Sequence, residues 1–307
     1  MPVGMLRSLS ALSLMLWIGL IPRMAPLADS SSPLLAAYYD RHMAIVDGTA
    51  YGWTGENPPK RIASDAVQVG VGRQLYYVLD GGGVLRRFGD TARSPEILRT
   101  GVSSFAAGRS GVLAIGKGHA LWWIRSNDAN ARLIAKDIAA AAVGDSANYY
   151  VTRAGALFVK GLAHRGQYGD GKLTETDRFV STASGVGRVF AHTGHALVLM
   201  KNGDVLGTGG NIYGPVGRHG LGDKAVRWSR IVSGVSAVAT GSSHSLAILP
   251  DGRLIAWGAG YGPDPMPVME GVTAVAAGSS STIVLRRDGS LWQWGRGPAK
   301  PRKLILR

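Results

Sequence analysis

The stretch AVATGSSHSLAILPDGRLIAWG (residues 237–258) is matched almost position for position by AVAAGSSSTIVLRRDGSLWQWG (residues 274–295). In both, an anchor glycine (Gly241, Gly278) is followed ten residues later by Asp-Gly (Asp251 and Gly252, Asp288 and Gly289), then by an apolar run ending in Trp-Gly. Such self-similarity is read before any single motif, because missing a repeat misassigns the whole fold. The alternation in STIVLRR and the Gly-containing turns between apolar runs are signals for antiparallel strands, and no segment after residue 36 shows a helical period.

Weaker copies fit the same ruler. Their anchors are Ala37, Gly70, Gly108, Gly144 and His192, which makes seven copies spaced 33 to 49 residues apart. Each also has an apolar segment ahead of its anchor, as in WSRIVS (228–233) and PMPVME (265–270), so a unit reads as four short strands. Four-strand units at this period indicate an all-β, seven-bladed β-propeller rather than a helical solenoid. The first copy lacks the leading segment, and the chain ends in an unassigned PRKLILR (301–307). The expectation is closure by the C-terminal strand pairing into the N-terminal blade, which would remove two open sheet edges.

Composition sets further bounds. With 46% apolar residues in 307, the chain can bury a substantial core, and its 44 glycines exceed the average of about 7% without a collagen-like triplet period. The absence of cysteine excludes disulfides, thiolate metal sites and cysteine nucleophiles. The net charge of +14 is spread along the chain rather than gathered in one run, so it does not by itself indicate a nucleic-acid partner. At the front, Arg7 precedes LSALSLMLWIGLI (9–21), too short for the ~20 residues that span a bilayer and of the length of a signal-peptide core. Residues 1–30 are therefore read as a signal peptide or short anchor, and residues 34–307 as the propeller. The expectation is a secreted or periplasmic monomer with no membrane span after cleavage.

The pattern V-A-x-G-x-x-H-S-L-A-I-L-x-D-G-x-L-x-x-W-G, with HRGQYGDG (164–171) where such proteins often carry N-x-x-G-Q-L-G-x-G, resembles the regulator of chromosome condensation repeat family over residues 34–307. The resemblance implies a seven-bladed propeller. Relatives it implies include secreted propellers that inhibit β-lactamases, and nuclear proteins that bind chromatin and promote nucleotide exchange on a small GTPase. No residue-by-residue match to either binding surface is present.

Chemistry-bearing residues mostly fall on repeat positions. The Gly-Ser loops lead into strands without the Lys-Ser/Thr of a phosphate-binding loop, so the anchor glycine is read as a residue in close contact with a neighbouring blade. His195 and His244 share one repeat position and are read as bonding to turn or neighbour groups, not as a metal pair. Asp47, Asp80, Asp251 and Asp288 are read as turn-makers. Trp53, Trp257 and Trp294 are read as packing between blades. No enzyme signature, metal site or cofactor motif emerges.

Following strand direction, anchor loops and the connections after Trp-Gly emerge at one end of the ring, and the Asp-Gly turns at the other. The two longest connections, 161–177 and 209–228, follow neighbouring copies and are expected side by side. They carry His164, Arg165, Tyr168, Tyr213, Arg218, His219 and Trp228, the candidate contacts for a partner protein. At the opposite end, Lys117, Arg153, Lys201 and Arg287 precede the turn in four copies and form a candidate basic ring. The favoured reading is a non-enzymatic exported module that binds a partner protein through the first set, in the manner of an inhibitor. A chromatin-binding or nucleotide-exchange propeller and a carbohydrate-binding propeller are the alternatives.

Overall fold

The computed structural model describes residues 34–89, 94–217, 222–295, 297 and 300–306. The expected signal segment lies outside them, as do Arg218 and His219. The described chain is all-β: seven four-stranded antiparallel sheets, each drawn from consecutive residues in strand order. The blades span 35–63, 66–99, 102–135, 138–183, 186–233, 237–269 and 272–303. The first strand of each blade contacts the first strand of the next, and Val272–Ala277 of blade seven returns to Leu35–Tyr38 of blade one.

Burial follows strand position. Second strands are covered on both faces by neighbouring blades, so that Gly111–Gly116 and His244–Ile248 are buried at every residue. Fourth strands at the rim, such as Thr176–Ala183 and Gly262–Met269, have no buried residue. One apolar cluster fills each of the seven seams, for example Tyr149, Tyr168 and Val198 between blades four and five.

Closure differs from the expectation in its detail. Arg302–Lys303 pairs with Leu291–Gly295 as the fourth strand of blade seven, and blade one is complete without it. The apolar segment ahead of each anchor belongs to the preceding blade: after Trp-Gly the chain turns back and pairs with the strand it has just left. What the tail gives blade one is packing. Leu304 lies in the cluster that holds Leu35, Ala44 and Trp53 with Ile283 and Leu291, and Leu306 packs against it.

Polar bonds complete the last seam. The Ser279 N–H donates to Tyr39 O at 3.0 Å, Trp53 Nε1 donates to Gln293 Oε1 at 2.8 Å, and Gln293 Nε2 donates to Gly55 O at 3.0 Å. The first of these recurs, since Asp145 N donates to His192 O (2.7 Å) and Ser242 N to Gly278 O (3.2 Å). It explains the anchor glycine. A Cβ at Gly241 would lie 2.6 Å from Gly278 O, and one at Gly278 would lie 2.3 Å from Tyr39 O. The same bond shows that the anchor carbonyl of blade one is Tyr39, not Ala37, because its hairpin is shorter. In blade two the anchor is Gly72 rather than Gly70, its N–H bonded to Leu75 O as Gly241 N is to His244 O.

Candidate functional site

Strand directions bring the anchor loops and the connections after the third strands to one end of the ring. There, side chains from distant blades meet over the axis. The Tyr38 hydroxyl of blade one donates to Asp145 Oδ1 of blade four, and the Tyr39 hydroxyl lies 3.5 Å from the other carboxylate oxygen. Two blades separate these residues one way around the ring and three the other, so the contact crosses the axis. The Tyr38 ring also stacks on His192 of blade five, with centroids 5.2 Å apart. Burial first, then the bond and the charge of Asp145, push the Tyr38 hydroxyl well above its ordinary range.

A line of polar groups runs from this bridge around the ring. His192 Nδ1 is 2.9 Å from Thr193 Oγ1, which is 3.0 Å from Ser242 Oγ, which is 2.8 Å from Ser279 Oγ. Burial lowers the His192 imidazole to about 4, so it is neutral at pH 7. Sequence reasoning did not assemble this cluster, whose members run from Tyr38 to Ser279. The available signal was departure from the repeat: Tyr39 and His192 stand at anchor positions where other copies have glycine.

The two long connections adjoin, as expected. The loop after Leu157–Gly161 packs on blade five, where Thr208 Oγ1 donates to Gly166 O (2.8 Å) and Gly171 N donates to Val226 O (2.7 Å). Arg165 lies over Gly194 and Gly210, directly before the second loop. That second loop leans on blade six, where Ser245 Oγ and Trp257 Nε1 both donate to Pro215 O. Of the candidate residues, His164, Arg165 and Tyr213 are exposed. Tyr168 corrects the expectation: it is 1% exposed, and its hydroxyl donates to Gly161 O (2.7 Å) and accepts from Thr176 N (3.0 Å), bracing the loop from inside. Trp228 is half-buried in the strand Lys224–Ser233 and covers Gly169. The sequence pattern missed the apolar residues beside them, Leu162, Leu173 and Ile212, of which Ile212 is 70% exposed and Tyr213 58%.

At the opposite end, the basic candidates reach across seams. Lys201 Nζ donates to Arg153 O (3.3 Å) and Ala154 O (3.2 Å) of the preceding blade, and Arg287 Nη2 reaches Asp251 O (3.5 Å). Lys117 lies beside Gly83 of the preceding blade, and Arg153 pairs with Asp137 at 3.4 Å. This geometry ties adjacent turns together.

The histidines behave as a repeated bridge. His42 Nε2 meets Ser281 Oγ (2.7 Å), His195 Nε2 meets Ser245 Oγ (3.1 Å), and His244 Nε2 meets Thr282 Oγ1 (3.2 Å), each across a seam. No carboxylate holds Nδ1 of His42, so the His42–Ser281 pair lacks the third member of a nucleophilic triad. Among the described residues no group of three or more His, Asp or Glu is placed to hold a metal ion. The indoles of Trp53, Trp257 and Trp294 likewise bond to the blade before them, with Trp294 Nε1 donating to Tyr261 Oη at 2.8 Å.

A cavity of about 610 Å³ opens at the seam between blades seven and one. Tyr39, Asp40 and Glu56 line it from blade one; Ser279, Lys300 and Arg302 line it from blade seven.

The family pattern described as "Regulator of chromosome condensation (RCC1) repeat" matches residues 235–261. A 176-residue stretch, 54% of the chain, is 28% identical to the secretion-regulating guanine nucleotide exchange factor of Bos taurus and spans 38% of that protein's length. Among solved structures, Prp20p of Saccharomyces cerevisiae, described with its binding to Gsp1p and histones, aligns with a TM-score of 0.70 at 15% identity over 80% of each chain. The CRINKLY WD40 ectodomain of the Arabidopsis thaliana receptor kinase ACR4 aligns with a TM-score of 0.61 at 14% identity, covering 90% of this chain and 98% of that one.

Proposed function

Since this chain is a seven-bladed propeller carrying the regulator of chromosome condensation repeat, we propose that it is a non-catalytic exported module that binds a partner protein through the loops after the third strands of blades four and five. The observation that carries the reading is the exposure of Leu162, Leu173, Ile212 and Tyr213 on two adjoining loops whose undersides are fixed by Tyr168, Thr208 and Pro215. Apolar and aromatic side chains held on rigid supports supply contact area with little ordering cost on binding. His164 and Arg165 give the patch a polar margin.

Inhibition by occlusion follows from such a surface, because a disc of rigid loops can cover the mouth of a partner's cleft. Export rests on the run 9–21, which lies outside the described residues; within them no helix is long and apolar enough to cross a membrane. Pull-down from periplasm or culture medium with the chain and with its Ile212→Ala, Tyr213→Ala variant tests the reading. Loss of a specific protein in the variant supports it, and unaltered recovery rejects it.

The likeness to a guanine nucleotide exchange factor favours a second reading, a nucleotide-exchange propeller. It requires residence with a GTPase inside the cell. Recovery of the chain outside the cytoplasm, lacking about the first 30 residues, would exclude it.

A further inference from the structure

We propose that the cavity between blades seven and one is a binding site for a small zwitterion carrying a free ammonium and a free carboxylate, of the size of an amino acid or short peptide. Its volume, about 610 Å³, falls in the range of small-ligand pockets. Its charges are sorted by wall. Blade one supplies two carboxylates, Asp40 and Glu56, and the segment after the third strand of blade seven supplies two cations, Lys300 and Arg302.

These groups are not paired across the cavity. Among the described residues no salt bridge joins the two walls, and of the four charged side chains only Arg302 bonds to the opposite wall, its Nη2 donating to the backbone oxygen of Glu56 at 3.0 Å. The other polar groups of the lining are engaged with one another: Ser281 with His42, Gln293 with Trp53 and Gly55, and the Ser279 N–H with Tyr39 O. These bonds hold the floor in place and leave His42 Nδ1 without a partner, while the charged rims retain their capacity for a ligand. A dipolar ligand meets both walls at once; an anion or a cation alone meets one attractive and one repulsive wall. Trp294 and the Tyr39 ring, 45% exposed, offer apolar surface for a side chain.

The test is titration calorimetry of the full chain at low salt with glycyl-L-phenylalanine, its N-acetyl form and its C-terminal amide. The expected result is binding of the free dipeptide, with each capped form weaker by about tenfold or more. Lys300→Ala should erase the preference for the free carboxylate, and Asp40→Asn with Glu56→Gln the preference for the free ammonium, with unchanged circular dichroism. Equal binding of capped and free forms, no heat at millimolar ligand, or binding of a neutral disaccharide in place of the dipeptide would each overturn the proposal. Tyr213→Ala should leave dipeptide binding as it is, so this result and that of the pull-down fail separately.

Discussion

The Tyr38 hydroxyl donates to Asp145 Oδ1, so that a side chain of the first blade is held by one of the fourth across the mouth of the ring. Most polar contacts in the ring join neighbours; this one joins blades that share no seam.

Tyr38→Phe keeps the ring stacked on His192 and removes only the donor. It should cost about 1–2 kcal/mol, read from the shift in urea midpoint. Combined with Asp145→Asn, the loss should fall short of the sum of the single losses, because both remove one interaction. Strict additivity would show that the bridge contributes nothing.

Acid should weaken the fold before the carboxylates titrate. Burial lowers His42 and His192 to about 4 and His195 to about 3, from an ordinary value of 6.5. Above pH ~6.5 both folded and unfolded chains hold these rings neutral, so the full stability is present. As pH falls from there towards 4, the unfolded chain takes up protons that the folded chain refuses. Stability then drops by about 1.4 kcal/mol per pH unit for each such histidine. Urea midpoints at neutral pH and at about pH 5 measure the slope, which His195→Gln should make shallower.

Gly278→Ala would place a methyl carbon 2.3 Å from Tyr39 O at the ring's closing bond. The two backbones must part, and a loss of roughly 2–4 kcal/mol is expected. Gly295→Ala, whose Cβ would meet Ser280 O at 3.7 Å, is the control and should change the thermal midpoint little.

The tail offers a pair of adjacent positions with opposite outcomes. Leu304→Ala empties part of the last seam and should cost about 2–4 kcal/mol. Ile305, 71% exposed, should tolerate alanine within about 0.5 kcal/mol. Hydrogen exchange on the leucine variant should rise first in the strands Leu35–Tyr38 and Leu291–Gly295.

On the loop face, Tyr168→Phe removes a hydroxyl bonded to Gly161 and Thr176 and should lower stability by about 1–3 kcal/mol. Tyr213→Ala should leave the urea midpoint unchanged within error while reducing partner recovery. Reversal of these two results would move the contact surface away from the exposed loops.

The repeat carried the fold because its clearest copies, the sixth and seventh, state the same local chemistry and the weaker ones keep its spacing: Gly where a neighbour's carbonyl approaches, Asp where a turn needs a cap, Trp where an indole reaches the preceding blade. Asp251 and Asp288 show the cap directly, accepting from Arg253 N and Ser290 N two residues on. Strand partnership was less legible. PRKLILR resembles the segment ahead of each anchor, but resemblance does not say which side of the unit a strand pairs with. The candidate site was legible where exposure followed from loop length, as at Tyr213, and not where a long loop folds its aromatic residue inward, as at Tyr168. The axial bridge and the charged cavity arise from one-off residues brought together by closure, and a periodic pattern carries no information about those.

Every sheet being cut from one uninterrupted run of chain has a consequence for how the molecule is made. No blade needs the far terminus to finish its hydrogen bonding, so sheets can form in order as they emerge, and the earliest can be complete while the last is unsynthesised. What remains for the end is a docking step, in which a finished seventh sheet meets a finished first one through Leu304, Trp53 and the Ser279 amide.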